Sequence, residues 1–356
     1  TYGTEFYRKA THGEGFIRGF FNVIKSATTG TGAALERLFI TGVSPVTMDD
    51  VTSGFNIGTN ITNDSWFNDL VGFSENELRE MLEYYKEQGV LQESIDEIVA
   101  MMKPNYDNYC FSEDTLEQCM FNSDMALYFL KSFVLHHKKP KEIVDPNIRT
   151  DFNKLAYLIK LDHGLGENFS VIKEIAEQGE IITDIVTHFS ALEMTDPSNF
   201  KSLLFYFGLL SIKGVDMVGR PILHVPNLVV REQLFNFLIQ GYIKHDIFKI
   251  DMNKMSALFE NMAFRGDWKP LFDFIANAVR EQSRIREYIE GEAHIKGFLL
   301  AYLGMYRYYQ LYPEYELNKG FADFFFKPSL SVPVLPPFTY LLEVKYAKAG
   351  ASEKEI

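Results

Sequence analysis

Two apolar stretches near the C-terminus, FADFFF at Phe321–Phe326 and TYLLEVK at Thr339–Lys345, decide the fold of that part of the chain. Both are short and rich in residues with high β-propensity, so each is predicted to form a strand. The proline-rich segment 329–337 between them is predicted to be a loop. Asp323 lies inside the first stretch, where a charge is costly unless another group pairs with it. The sequence therefore predicts two strands that carry a partnered acid.

The second stretch places two charged residues on one face of its strand. Side chains alternate along a strand, so Glu343 and Lys345 point to the same side and Val344 to the other. Two carboxylates on neighbouring strands, Asp323 and Glu343, can share a hard divalent cation such as Mg²⁺. A lysine beside them can polarise a water molecule or stabilise negative charge on a phosphate. The other interpretation of Glu343 and Lys345 is an exposed salt bridge at a sheet edge.

The order of an acid on a helix, an acid on a strand and Glu-x-Lys on the next strand resembles the PD-(D/E)xK nuclease fold. Glu292 heads a predicted helix, Glu292–Tyr309, and matches the acid on the first helix of that family. Asp323 matches its central metal-binding Asp, and Glu343 and Lys345 match its (Asp/Glu)-x-Lys. The resemblance implies that Glu292, Asp323 and Glu343 bind Mg²⁺ or Mn²⁺ and that Lys345 lies beside the attacking water. It also implies a further helix and strand after Lys345, for which few residues remain.

Strings in the N-terminal half carry a second resemblance. Residues 39–47, 52–57 and 67–73 resemble the bacterial AAA-ATPase-like family that is common in Bacteroides-type bacteria. The piece Tyr106–Tyr109 is similar to that family's Tyr-Asp-Gly-Tyr element, with Asn108 in place of Gly. In that family a P-loop ATPase module precedes a nuclease-like domain. The resemblance implies an ATPase-linked, metal-dependent nuclease, a hydrolase of DNA or RNA, of which this chain carries the C-terminal part.

The sequence departs from that family at the nucleotide site. No Gly-x-x-x-x-Gly-Lys-Ser/Thr phosphate loop occurs in the chain, and we expect this element upstream of Thr1. ATP is therefore expected for the full-length family but not for this chain. The apolar run Arg37–Val43 is predicted to be a buried strand of a parallel sheet. Thr41 at its end is either a sensor for a γ-phosphate or a partner for a strand-end amide, and the second interpretation is preferred without a phosphate loop.

The predicted fold class is α/β, multidomain and helix-rich. In the middle of the chain a helix at Ser198–Leu210, a hairpin around Lys213–Gly219 and a helix at Leu228–Gln240 give the order of a winged-helix unit. Such a unit either binds nucleic acid or spaces two domains, and the low density of basic residues favours the spacer. The predicted domains are an ATPase remnant at 1–62, a helical lid at 63–150, a winged-helix-like connector at 151–250 and a nuclease-like domain at 251–356.

Charge restricts the place where a nucleic acid could bind. The chain has 356 residues and a net charge of −13, so a binder of polyanions along its whole length is excluded. Residues 251–356 contain 13 Lys and Arg against 14 Asp and Glu, a net charge of only −1. A nucleic-acid partner, DNA in preference to RNA, is therefore expected at the C-terminal part. The alternative function is a non-catalytic module that keeps the nuclease-like fold and binds a partner or nucleic acid.

Cysteine content and hydropathy indicate the compartment. Only two cysteines occur, Cys110 and Cys119, which is typical of a reducing cytosol and predicts a cytoplasmic location. No run of 18 or more apolar residues is present, so no membrane partner is expected. The sequence gives no indication of the oligomeric state.

Overall fold

The fold is taken from a computed structural model. The structure describes residues 4–42 except 13, 58–138, 140, 144, 167–245 except 188, 190–192 and 195, 247–282, and 292–345 except 319, 330, 331 and 333. The sequence predicts a helix at 151–161, which lies outside these residues, as does the part of the ATPase-like strings at 43–57.

Eleven α-helices and six strands occur in the part of the chain that the structure describes. The helices are α1 Thr4–Thr11, α2 Phe16–Thr28, α3 Glu75–Glu87, α4 Ile95–Tyr106, α5 Ser123–His136, α6 Glu167–Gln178, α7 Pro197–Tyr206, α8 Leu228–Lys244, α9 Met252–Arg265, α10 Lys269–Glu281 and α11 Glu292–Gly304. The strands are β1 Glu180–Ile182, β2 Ser211–Val215, β3 Pro221–His224, β4 Tyr309–Leu317, β5 Gly320–Pro328 and β6 Tyr340–Leu342. The architecture is helix-rich with two small antiparallel sheets.

The described residues fall into two compact units. The first is drawn from Thr1–Ile95, Tyr106–His163 and Glu180–Pro226. The second is drawn from Asp96–Asn105, Gly164–Gly179 and Asn227–Ile356. The sheet of β1, β3 and β2 belongs to the first unit, and the sheet of β4, β5 and β6 belongs to the second.

Helix α3 shows how local sequence sets an element boundary. The Ser74 hydroxyl accepts a hydrogen bond from the Glu77 backbone N–H, and the Glu77 carboxylate accepts one from the Ser74 N–H. This capping box satisfies two N–H groups that the first helical turn leaves without partners. The same four residues, Ser74–Glu77, predict a helix over Glu75–Gln88, and the structure confirms it. The sequence also predicts that the next helix, which opens at Ser94, ends at Pro104. Helix α4 continues to Tyr106, because a proline in the last turn removes only one backbone hydrogen bond.

The chain follows the predicted order of helix, hairpin and helix, with α7 and the β2–β3 hairpin in the first unit and α8 in the second. Strands β2 and β3 pair antiparallel, and β1 pairs with the other side of β3 to give the strand order β1-β3-β2. The carboxylate of Asp216 closes the hairpin turn by accepting hydrogen bonds from the N–H groups of Val218 and Arg220. The element order is confirmed, whereas the winged-helix assignment and its spacer role stay predictions.

The predicted strand at 37–43 is wrong over the residues that the structure describes. Residues 37–42 form no strand, and no described strand pairs with them. Leu38, Phe39 and Ile40 are exposed. An apolar run becomes a buried strand only where neighbouring strands satisfy its backbone N–H and C=O groups, and no described residues supply them here.

The second unit positions the C-terminal sheet against helix α11. The apolar residues 298–303 of α11 are all buried. The Tyr302 hydroxyl donates a hydrogen bond of 2.9 Å to the Phe248 carbonyl, which fixes one end of the helix. A Cβ at Gly304 would lie 2.3 Å from the Phe235 ring, so only glycine allows this close approach. The helix therefore has a fixed place, and its first turn carries charged side chains.

Strands β4, β5 and β6 form an antiparallel meander in which β5 is central. The β-propensity of Glu314–Leu317 predicts a strand there, and the observed strand is longer and begins at Tyr309, so the predicted helix Glu292–Tyr309 is shorter and ends at Gly304. The strand includes Pro313, which cannot donate a ladder hydrogen bond. Strand β4 lies at the sheet edge, where that missing donor is tolerated.

Helices long and apolar enough to span a membrane are absent from the described ranges.

Candidate active site

The site lies where the first turn of α11 meets the ends of β5 and β6. Helix α11 carries Glu292 and, one turn later, Lys296. Residues at i and i+4 lie on the same face of a helix, so both side chains point the same way. Strand β5 carries Asp323, and the chain after β6 carries Glu343 and Lys345.

Lys296 joins the helix to the sheet. Its Nζ lies 3.1 Å from the Glu292 Oε1 and 2.5 Å from the Asp323 Oδ1. The side chain of Asp323 is only 10% exposed and that of Lys296 is 22% exposed. Two carboxylates therefore converge on one cationic centre, and the charge that a buried Asp323 needs is supplied by the helix.

The second oxygen of Asp323 is bound to the backbone beyond β6. Asp323 Oδ2 accepts a hydrogen bond of 2.5 Å from the Val344 N–H. The last register pair between β5 and β6 is Phe324 with Leu342, so Asp323 and Glu343 are the next residues along the two strands. The Asp323 carboxylate thus accepts a hydrogen bond from a backbone N–H just beyond the last paired residues of β5 and β6.

Glu343 and Lys345 form an exposed pair. Their side chains are 62% and 60% exposed, and Lys345 Nζ lies 2.5 Å from Glu343 Oε1. Val344 between them is buried, so burial alternates as the sequence predicts. The predicted strand Thr339–Lys345 is too long, because its pairing with β5 ends at Leu342 and the last three residues follow β6.

The charges shift the pKa values in opposite directions. Burial of the Asp323 carboxyl would raise its pKa, but the hydrogen bonds from Lys296 and Val344 and the nearby Lys296 and Lys345 charges outweigh burial, so the pKa lies below its ordinary value. The hydrogen bond and the charge of Glu343 raise the pKa of Lys345, and Glu292 and Asp323 add to this effect. Asp323 is therefore ionised and Lys345 is charged at neutral pH.

The four residues that the sequence selected lie in one neighbourhood, with Glu292 and Asp323 joined through Lys296. Sequence reasoning missed Lys296. The available signal was its i+4 spacing from Glu292, a spacing that more often marks a solvent-exposed ion pair. Thr41, the residue proposed to sense a γ-phosphate, lies in the other unit in an exposed segment, and its role stays a prediction.

The comparison with protein families decides how this neighbourhood is classified. Residues 290–356 match the family model of the PD-(D/E)XK nuclease superfamily. The matched residues of this nuclease-superfamily domain begin just before Glu292 and include Asp323, Glu343 and Lys345. The kinship of the remaining residues to AAA-ATPase-like proteins stays a prediction. No curated protein and no solved structure matches the chain.

The donors of the nuclease-superfamily domain suit a hard cation. Glu292 and Asp323 provide carboxylate oxygens, the ligands that Mg²⁺ and Mn²⁺ prefer, and both are directed at one point already held by a positive charge. Within the described ranges no three His, Cys, Asp or Glu side chains are grouped as a set of metal ligands. The third acid, Glu343, is paired with Lys345. Glu292 and Asp323 thus offer two carboxylates to a divalent ion at the position that the Lys296 ammonium holds.

Proposed function

We propose that the nuclease-superfamily domain hydrolyses phosphodiester bonds of nucleic acid with the help of Mg²⁺ or Mn²⁺. The observation that carries this proposal is the convergence of the Glu292 and Asp323 carboxylates on one cation. A phosphodiester carries negative charge that grows as it is attacked, so a catalyst must place positive charge next to acidic ligands.

Each residue has a role that follows from its contacts. Asp323, buried and held from two sides, is the rigid ligand, and Glu292 on the helix is the second. Glu343, now paired with Lys345, would be the third ligand of such an ion. A bound divalent ion would act as a Lewis acid that polarises the phosphoryl oxygen and activates water. Lys345 keeps its proton, because three acidic residues raise its pKa, and offsets charge beside the attacking water.

The substrate class follows from charge. The near-neutral C-terminal part repels a polyanion far less than the rest of the chain does. We propose DNA rather than RNA as the substrate. Binding should weaken steeply as salt rises, because phosphate contacts release counterions.

Linkage to an ATPase is a further part of the proposal, supported by the N-terminal strings. The chain has no phosphate loop, so this polypeptide should show no heat of binding when ATP and Mg²⁺ are titrated into it. Micromolar affinity for ATP would contradict this expectation.

The decisive experiment measures metal binding and DNA cleavage separately. We expect Mn²⁺ to raise the melting temperature of the wild-type chain and to support cleavage of a labelled DNA. Asp323→Ala should abolish both effects. Lys345→Ala should keep the thermal response and reduce cleavage by about 10²- to 10³-fold, since it removes one charge from the transition state. The matched control is Asp273→Ala, which removes an exposed carboxylate paired with Lys269 on α10 and should change neither readout.

The pairing of Glu343 with Lys345 favours a second candidate, a non-catalytic module that binds nucleic acid. In that case the chain binds DNA, shows no thermal response to Mn²⁺ and cuts nothing. A Mn²⁺ response that Asp323→Ala removes would exclude this candidate.

A further inference from the structure

Both oxygens of the central carboxylate are already engaged. Asp323 Oδ1 accepts from Lys296, and Oδ2 accepts from the Val344 N–H. Glu292 Oε1 also lies within contact distance of Lys296. Each oxygen keeps a second lone pair, so a divalent ion at Asp323 would approach close to these two donors rather than find an unengaged carboxylate.

The two donors differ in their freedom to move. The Val344 N–H belongs to the backbone of a buried residue next to the end of β6, and its displacement would shift the chain that carries Glu343 and Lys345. The Lys296 ammonium sits at the end of a flexible four-carbon stem and can swing away without moving helix α11. Lys296 is the donor that can be displaced more easily.

Charge leads to the same conclusion. An ion coordinated by the two carboxylates stands about 2.0–2.6 Å from each oxygen, which places it next to an ammonium that contacts the same atoms. A divalent ion and an ammonium at such a distance repel each other strongly in a partly buried site. This repulsion disfavours the state in which both cations hold the two carboxylates at once.

We infer that Lys296 is a resident cation that holds the metal position in the metal-free chain and is displaced when the divalent ion binds. This inference rests on the proposed metal-dependent function and adds a positioning residue to it. The ammonium keeps Glu292 and Asp323 together before the ion arrives, and its displacement is part of the free energy of metal binding.

The first test measures metal affinity directly. Lys296→Met removes the charge and keeps an unbranched side chain. Calorimetric titration with Mn²⁺ should show affinity increased on the order of tenfold over the wild type, because the competing charge is gone. The variant should also have a lower melting temperature without metal and a larger rise with Mn²⁺. Lys269→Met, which breaks an exposed i,i+4 pair on α10, is the control and should leave Mn²⁺ affinity unchanged.

The second test uses the wild-type chain and avoids any folding defect of the variant. A lysine-acylating reagent followed by peptide mass spectrometry should modify Lys296 several-fold faster in the presence of Mn²⁺ than in its absence. Lys269 should react at the same rate in both conditions. An equal rate at Lys296 with and without Mn²⁺ would overturn the displacement.

The outcomes distinguish this inference from the proposed function. If the wild type binds Mn²⁺ and Lys296→Met binds it equally well or more weakly, the inference fails and the metal site stands. If neither chain binds Mn²⁺, both fail. Binding by the variant with little or none by the wild type supports both.

Discussion

The two antiparallel sheets place their charges in different environments. In the sheet of the first unit, Lys213 and Glu180 approach to 2.5 Å with side chains that are 56% and 42% exposed. In the second unit, Asp323 of the sheet and Lys296 of helix α11 approach to the same distance with side chains that are largely buried. An exposed ion pair contributes little to the free energy of folding and loses little solvation. A buried carboxylate loses much of its solvation and therefore needs a partner of opposite charge. The two ion pairs have the same N–O distance and differ in the burial of their side chains.

The largest expected effect comes from the apolar residue next to the buried acid. Phe324→Ala should lower the free energy of unfolding by about 3–5 kcal/mol, because it leaves a cavity in the buried face of β5. Urea unfolding followed by circular dichroism measures it. Met217→Ala at the exposed hairpin tip of the first sheet is the control and should change stability by no more than about 0.5 kcal/mol. Equal effects would show that the second sheet is not packed as described.

The second effect concerns the buried acid itself. Asp323→Asn should destabilise the metal-free chain by about 1–3 kcal/mol, since the variant keeps the shape but removes the charge of the buried acceptor that Lys296 and the Val344 N–H share. Glu180→Gln in the first sheet should cost less than about 1 kcal/mol. Chemical denaturation of both variants at neutral pH measures the difference, and an equal cost would remove the distinction between the two pairs.

The third effect is a pH dependence that belongs to Asp323. Its pKa in the folded chain lies below the unfolded value of about 3.9, so the unfolded state binds more protons between the two values. Stability from this group is complete above about pH 4 and is lost as the pH falls through the folded pKa. The stability gap between the wild type and Asp323→Asn should therefore narrow as urea unfolding is repeated from pH 6 down to pH 3. A gap that is constant over this range would contradict the lowered pKa.

The smallest effect is expected for the exposed pair. Lys213→Ala should change the free energy of unfolding by about 0.2–1 kcal/mol at low salt and by less at 1 M salt, where the Debye length falls to about 3 Å. Thermal unfolding at the two salt concentrations is sufficient. A larger, salt-resistant loss would place this pair in the same class as Lys296 and Asp323.

Local patterns predicted the second unit well where they depend on few residues. The apolar run at Phe321–Phe326 predicted β5, and the run at Thr339–Lys345 predicted β6 but extended it three residues too far. The alternation around Val344 predicted which side chains are exposed. The capping box at Ser74 gave a helix start for the same reason, since its atoms lie within one turn. Such features need no distant partner.

Features that depend on distant partners were missed or wrong. The run at 37–43 has the composition of a buried strand, but a strand requires neighbours that sequence composition cannot supply. Lys296 follows the spacing of an ordinary helical ion pair, and its contact with Asp323 arises only when α11 packs beside β5. The acids of the candidate site could be selected from the sequence, whereas the cation between them could not.

The Asp323 side chain has two partners, the Val344 N–H and the Lys296 ammonium. The same carboxylate that faces the helix cation also anchors the backbone between Glu343 and Lys345. Substitutions at Asp323 and at Lys345 are therefore coupled through the main chain, and their effects should not sum. In a double-mutant cycle, Lys345→Ala should lower the free energy of unfolding by less in the Asp323→Asn background than in the wild type. The reason is that Asp323→Asn already weakens the anchor of the segment that carries the lysine.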